Sequence, residues 1–142
     1  MVERLPIVFI PGLMDDAYLW AHQTTYLADI ARPIVADITG QETVDAMAET
    51  VLAHAPDSFA LAGFSLGGYV SLAIMRRAPA RVRKLALLCT SSRPDTESRR
   101  EERRAHIAHA ANGGGLERVI REDMAFMIHP DRMTDSLLAN GI

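Results

Sequence analysis

Apolar residues in the first ninety positions alternate between two spacings. Short aliphatic or β-branched runs occur at Leu5–Ile10 (LPIVFI), Ile34–Ile38 (IVADI), Phe59–Phe64 (FALAGF) and Lys84–Cys89 (KLALLC). Pro11-Gly12 closes the first and Thr39-Gly40 the second. Such runs, bounded by turn residues, predict strands buried on both faces. Between them the spacing becomes helical. Tyr18–Ile30 repeats Tyr18, Leu19, Tyr26, Leu27 and Ile30; Thr43–Ala55 is amphipathic, with Thr43 as its cap and Pro56 beyond its end; Leu66–Arg77 stops before Pro79. Strands alternating with helices predict an α/β fold, a mostly parallel sheet of about four strands flanked on both faces by helices and joined by right-handed crossovers.

The pattern changes at Thr90. Residues 90–104 (TSSRPDTESRREERR) lose nearly all apolar character, and Glu97, Glu101 and Glu102 interleave with the arginines. Near-cancelling charge predicts a solvated linker and the first turns of a helix, and speaks against an RNA-binding arginine patch. Helices are expected over about 98–111 and 116–128, separated by Gly113-Gly114-Gly115, the second ending at His129-Pro130, with a third beginning over Thr134–Ala139. The chain thus reads as a sheet-bearing core over 1–92 and a helical segment over 93–142, without internal repeats.

Bulk composition narrows the function classes. The chain has 142 residues, 49% of them apolar and 23% charged, as a soluble globular protein has. A net charge of −3 and a pI near 5.9 give no reason to expect nucleic acid or an anionic membrane as partner. No stretch approaches the ~18 apolar residues of a membrane span. MVERLPIVFIPG reads as a strand entering a turn, with no cleavable signal. The single cysteine, Cys89, has no partner for an internal disulfide, which makes a reducing cytoplasm the expected location. Nothing nearby activates it as a thiolate, so it is expected to pack as a small buried residue.

One motif carries chemistry. Gly63-Phe64-Ser65-Leu66-Gly67-Gly68 falls where the third strand turns into the third helix. This is the G-x-S-x-G nucleophile elbow in its strand–turn–helix setting, with Ser65 as candidate nucleophile. A tight turn strains the serine backbone and lifts its hydroxyl clear of the sheet. A Cβ at Gly63 or Gly67 is expected to collide with it. The helix starting at Leu66 directs free N–H groups toward a carbonyl oxygen that gains negative charge. An oxyanion hole needs a second donor from the loop after the first strand, and Pro11-Gly12-Leu13-Met14-Asp15 supplies one. Leu66 N–H and Leu13 N–H are the candidates. The bland alternative for the loop is an ordinary Pro-Gly turn. No phosphate-binding G-x-x-x-x-G-K-[ST] is present, and no G-x-G-x-x-G follows a strand.

These residues resemble the α/β-hydrolase superfamily, in particular its bacterial carboxylesterase-like members. GFSLGG is similar to the family's nucleophile turn. IPGLMDDAYLW resembles the oxyanion segment, with Pro11 where many members carry histidine and Trp20 where they carry tryptophan. ADITGQ resembles the stretch after the next strand but lacks the usual Gly-His-Gly. Residues 79–92 (PARVRKLALLCTSS) look like the family's Pro-x-Arg-Val and following strand, and 93–142 like the start of its helical cap.

The resemblance implies a cofactor-free serine hydrolase acting on a small-molecule ester or related acyl bond, with a histidine to shuttle the proton and a carboxylate to orient it. In the family both follow the cap, so the chain reads as an amino-terminal portion without either position, inactive by itself. The strand Lys84–Cys89 then becomes an apolar sheet edge, open to a homodimer or a domain swap. A rival reading is a non-catalytic, self-associating or binding module on the same scaffold. Within enzymes, lactonases, C–C hydrolases, haloperoxidases and acyltransferases share this fold, so the fold does not select the reaction.

No other residue is an obvious substitute. His22 and His54 read as exposed or packed structural residues of helices flanking the sheet, and His129 as a helix-end cation. His106 and His109 stand one turn apart, a weak two-ligand metal spacing better read as solvated helix. Asp15 and Asp16 in the oxyanion loop and Asp37 at a strand end are candidate site carboxylates, each better read as a turn residue.

Overall fold

The computed structural model describes residues 4–112 together with 129 and 131. The chain divides into two compact units, Met1–Arg93 and Pro94–Ile142. The first holds β1 (Leu5–Ile10), a 3-10 turn over Ala17–Trp20 leading into α1 (Ala21–Leu27), β2 (Ala31–Val35), α2 (Val44–His54), β3 (Phe59–Phe64), α3 (Leu66–Arg77) and β4 (Val82–Leu88). The four strands form one sheet in the order β2-β1-β3-β4, and every pair is parallel. The α/β architecture follows the alternation of the sequence.

Burial follows the strand pleat. Val8 and Ile10 of β1 and Phe59 and Leu61 of β3 join one core with Ala48 and Val51 of α2 and Val70, Ala73 and Ile74 of α3. Residues of opposite parity, Phe9 and Ala62, pack on the other face around Trp20, with Ile7, Leu19, Leu27, Val35 and Phe64 against them. Phe9 and Trp20 meet with ring centroids 4.8 Å apart. The two central strands are therefore apolar at every position because helices cover them on both sides. Thr43 caps α2, its Oγ1 accepting the Ala46 N–H at 3.1 Å.

Three expectations need correction. The second strand runs over Ala31–Val35, not 34–38, because its ladder pairs Leu5 with Ala31 through Phe9 with Val35. Pro33 discourages a strand reading, yet among the described residues β2 lies at the sheet edge, where proline is tolerated because a strand there need not donate on its outer side. Ile38 is buried all the same, in the connection that follows. The first helix is shorter than 18–30 and begins as a 3-10 turn, whose tighter winding rotates its side chains off a 3.6-residue period. Tyr18, Tyr26 and Ile30 are 68%, 76% and 73% exposed, whereas Trp20 is buried.

The third correction concerns Cys89. It is exposed, not packed, and its φ of 48° is left-handed. Strand β4 ends one residue earlier, at Leu88, and is an outer strand of the sheet among the described residues, none of which forms a strand beside Cys89 on that side. Leu85, Leu87 and Leu88 of β4 are 40%, 42% and 39% exposed.

In the second unit, α4 spans Glu97–Ala111, and Thr96 Oγ1 accepts the Arg99 N–H at 3.3 Å. Exposed pairs line it: Arg99–Glu102 at 2.9 Å, Arg100–Glu97 at 3.5 Å and Arg103–Asp95 at 2.7 Å. This is the charge-cancelled helix that the arginine–glutamate interleaving predicts. The expected helices over 116–128 and 134–139 and the triple glycine lie outside the described residues. No helix among the described residues is long and apolar enough to cross a membrane.

One side chain ties three elements of the first unit together. Arg81 Nη1 donates to Leu52 O at 3.0 Å, and Nη2 to Ala55 O and Pro56 O at 2.8 and 3.0 Å. Its guanidinium carbon lies 5.6 Å from the centre of the Phe59 ring. The carbonyls at the end of α2 lack helical partners, and a cation there also suits the helix dipole. Arg81→Ala is expected to lower stability by roughly 2–4 kcal/mol, as a reduced urea midpoint at unchanged slope in far-UV circular dichroism. Arg81→Lys should recover less than half, because an ammonium cannot fork across three carbonyls.

Candidate active site

The candidate site starts from a connection of one residue. Strand β3 ends at Phe64 and α3 begins at Leu66, leaving Ser65 alone between them at φ 50° and ψ −112°. A non-glycine residue in such a conformation costs of order 1–3 kcal/mol and persists only where its surroundings hold it. Here they do. Ser65 N–H donates to Leu88 O at 2.9 Å, while Ser65 O accepts from Gly68 N–H and from Thr90 Oγ1, each at 2.9 Å. Leu66 is the first residue of α3, where an N–H has no carbonyl four residues back within the helix.

Glycine is required at 63 and 67, and the nearest obstacles to a side chain there do not include the serine that the motif suggests. A Cβ on Gly63 would run into the Gly67 carbonyl and the Ser71 hydroxyl, and one on Gly67 into the carbonyl oxygens of Ile10 and Pro11. The glycines let the first turn of α3 lie directly on β3 and on the end of β1. Ser71, fully buried, donates from Oγ to Gly67 O at 2.7 Å and fixes that contact.

The same close approach brings the loop after β1 to the start of α3. Pro11 and Gly12 are buried, Leu13 and Met14 exposed, and Met14 takes a left-handed φ of 64°. Asp15 N–H closes the turn on Gly12 O at 3.4 Å. A Cβ on Gly12 would touch the Asp15 carboxylate and the Phe64 ring, so this loop packs beside the residue that precedes Ser65. Leu13 and Leu66, the candidate donors, thus belong to segments that meet at one end of the sheet. Partial burial pushes the Asp15 carboxyl above its usual range; a hydrogen bond from the Gly12 backbone opposes this, and neighbouring Asp16 adds to it.

The other titratable candidates do local work. Asp16 accepts the Tyr18 N–H at 2.7 Å at the start of the 3-10 turn. Asp37 accepts from the Thr39 N–H at 2.9 Å and the Thr39 hydroxyl at 2.7 Å, which lowers its pKa. His22 stacks on Tyr26 with centroids 5.8 Å apart. His54 Nδ1 lies 2.8 Å from Thr50 O at the end of α2. His106 and His109 are on α4 in the second unit, and His129 Nδ1 accepts the Asp131 N–H at 3.3 Å. Among the described residues no three His, Cys, Asp or Glu side chains gather as a metal would need.

A cavity of about 410 Å³ between β2 and α2, bordered by Val8, Ile34, Asp37, Gln41, Val51 and His54, includes no residue of the elbow or of the loop after β1. Sequence reasoning missed Ser71 and Thr90. A hydroxyl four residues after Gly67 in a helix can bond back to that carbonyl, so Ser71 carries a weak local signal. Thr90 carries none, since its contact depends on the register of β4.

Two substitutions and a titration test this geometry. Gly67→Ala places a methyl against two backbone oxygens that cannot yield, and should cost at least about 3 kcal/mol in thermal or urea unfolding. Gly40→Ala, where an added Cβ meets nothing within 4 Å, should change stability by less than about 1 kcal/mol. For Asp37, a pKa lowered on folding means stability that is present above the unfolded value and lost as pH falls through the folded one. The stability difference between the wild type and Asp37→Ala should therefore shrink as pH falls through and below the ordinary aspartate value of 3.8, measured by urea unfolding.

No family model matches the sequence. The pimeloyl-[acyl-carrier protein] methyl ester esterase of Legionella pneumophila strain Corby is 31% identical over 96 residues, 64% of this chain and 40% of that protein. The protein of the same name from Aromatoleum aromaticum is 30% identical over 97 residues, 63% of this chain and 39% of that one. The chain therefore spans about 40% of the length of these curated relatives. Among solved structures, a thermophilic esterase from Thermogutta terrifontis is 29% identical, with a TM-score of 0.75 over 91% of this chain and 55% of that one. The enol-lactonase of Burkholderia xenovorans LB400 shares the fold at a TM-score of 0.82 and 21% identity, over 96% of this chain and 56% of that one. With its parallel sheet, its Gly-x-Ser-x-Gly turn between β3 and α3 and these esterase relatives, the chain has the α/β-hydrolase fold and resembles the esterases of that superfamily.

Proposed function

We propose that the protein contributes the nucleophile half of a serine esterase. Ser65 Oγ attacks the carbonyl carbon of a carboxylic ester while its proton passes to a histidine base. The tetrahedral oxyanion rests on the N–H groups of Leu66 and Leu13. Collapse expels the alcohol, which takes the proton from the histidine, and water then releases the acid from Ser65 by the same steps. The observation that carries this reading is the left-handed backbone of Ser65, held from both sides by hydrogen bonds at a strand–helix junction. Such strain is kept where a structure uses it. The names of the Legionella, Aromatoleum and Thermogutta relatives favour an ester over the other bonds this fold cleaves.

The base and the carboxylate that orients it are assigned to none of the described residues. In the order Ser, acid, His that the superfamily follows, both come later in the chain than the serine, and the family resemblance puts them beyond the helical cap. A serine without its histidine loses about 10⁶-fold in turnover, and the oxyanion hole and binding leave ~10³–10⁴ over water. The 142-residue chain should accordingly hydrolyse a short-chain p-nitrophenyl ester only at that residual level. A fluorophosphonate probe, mapped by peptide mass spectrometry, should react slowly at Ser65 and not at all at that position in Ser65→Ala. An adduct at another residue instead removes Ser65 as nucleophile, whereas fast turnover abolished by Ser65→Ala places a base within these 142 residues.

A further inference from the structure

The elbow is held from behind by Leu88, the last residue of β4, and by Thr90 beyond it. Leu88 O accepts the Ser65 N–H, and Thr90 Oγ1 donates to Ser65 O, each at 2.9 Å. Between them Cys89 takes a left-handed φ of 48°, which turns the chain out of the strand. The Thr90 side chain also fills the space where Gly68 lacks a Cβ: its Cβ, Cγ2 and Oγ1 are the three nearest atoms to that position. Thr90 therefore meets the elbow in two ways, by shape at Gly68 and by a hydrogen bond at Ser65.

The hydrogen bond has a particular geometry. Ser65 C=O and Leu66 N–H belong to one planar peptide unit and point in opposite directions. Whatever fixes the carbonyl fixes the N–H. Two donors, Gly68 N–H and Thr90 Oγ1, hold that carbonyl, and donation to a peptide oxygen polarises the peptide and strengthens its N–H as a donor. We propose that Thr90 is a positioning residue, whose hydroxyl acts through the Ser65 carbonyl to aim the Leu66 N–H and to hold the left-handed Ser65 backbone. This inference rests on the esterase reading for its consequence in catalysis, but its geometry is testable without any turnover.

Two near-isosteric variants separate the hydroxyl from the bulk of the side chain. Thr90→Val keeps the shape against Gly68 and removes the donor; Thr90→Ser keeps the donor and removes the methyl. Amide hydrogen exchange of Ser65 and Gly68, resolved by NMR on the full 142-residue chain, should be about five- to tenfold faster in Thr90→Val and near the wild-type rate in Thr90→Ser. The Leu66 amide resonance should move in Thr90→Val and return in Thr90→Ser, and fluorophosphonate labelling of Ser65 should follow the same order. The reverse order, with Thr90→Val like the wild type and Thr90→Ser disturbed, makes Thr90 a packing residue only and overturns the proposal. If no variant nor the wild type is labelled while the amide order holds, the nucleophile reading falls and the positioning role stands.

Discussion

A parallel strand and the helix after it have to change direction between them, and here a single residue makes the change. Ser65 does so at φ 50°, a region that L-residues seldom enter because Cβ crowds the backbone. The cost, about 1–3 kcal/mol, is offset by three hydrogen bonds to the main-chain groups of that one residue, to Leu88, Gly68 and Thr90. None of these partners is remote from the turn in space, yet Leu88 and Thr90 lie more than twenty residues away in sequence. The strain is thus maintained by the sheet and not by the motif, and a Gly-x-Ser-x-Gly segment taken out of this sheet would relax.

The rest of the first unit is arranged around allowing that turn. Strand β3 is central and covered on both faces, so its carboxyl end is fixed in three dimensions before the chain turns. Small residues then let α3 come close: Gly63 and Gly67 touch backbone, with the Ser71 hydroxyl in the same gap. Because Gly67 rests on the carbonyls of Ile10 and Pro11, the loop carrying Leu13 is placed by the same contact that places the helix. The position of the candidate nucleophile and that of the loop are in this sense one packing problem. It accounts for the glycines better than collision with the serine side chain does.

What could be read from the sequence divides along physical lines. Phe59–Phe64 and Leu66–Arg77 were legible to the residue, because a fully apolar strand, an obligatory turn and a proline stop leave no other boundaries. Strand β2 was displaced by three residues because Pro33 signals a break in any strand except an edge strand, and edge position is a property of the sheet. The first helix was overextended because tyrosines at helical spacing count as apolar in a pattern but remain wet in the structure. Cys89 and Thr90 were not legible at all. Their conformation and contacts exist only once β4 is in register beside β3, with Phe64 opposite Leu88.

That last dependence has a thermodynamic side. Among the described residues β4 has a ladder on one side only, and strands held this way open locally more readily than central ones. Yet its end supplies two of the three bonds that keep Ser65 strained. The geometry of the elbow can then be no more durable than the attachment of β4. Arg81, immediately before the strand, fastens its other end to the carbonyls closing α2. Anything that covers Leu85, Leu87 and Leu88 would favour the attached state of β4 and, by linkage, the strained state of Ser65. Sheet edge and candidate nucleophile, though different parts of the fold, are coupled through Leu88 and Thr90.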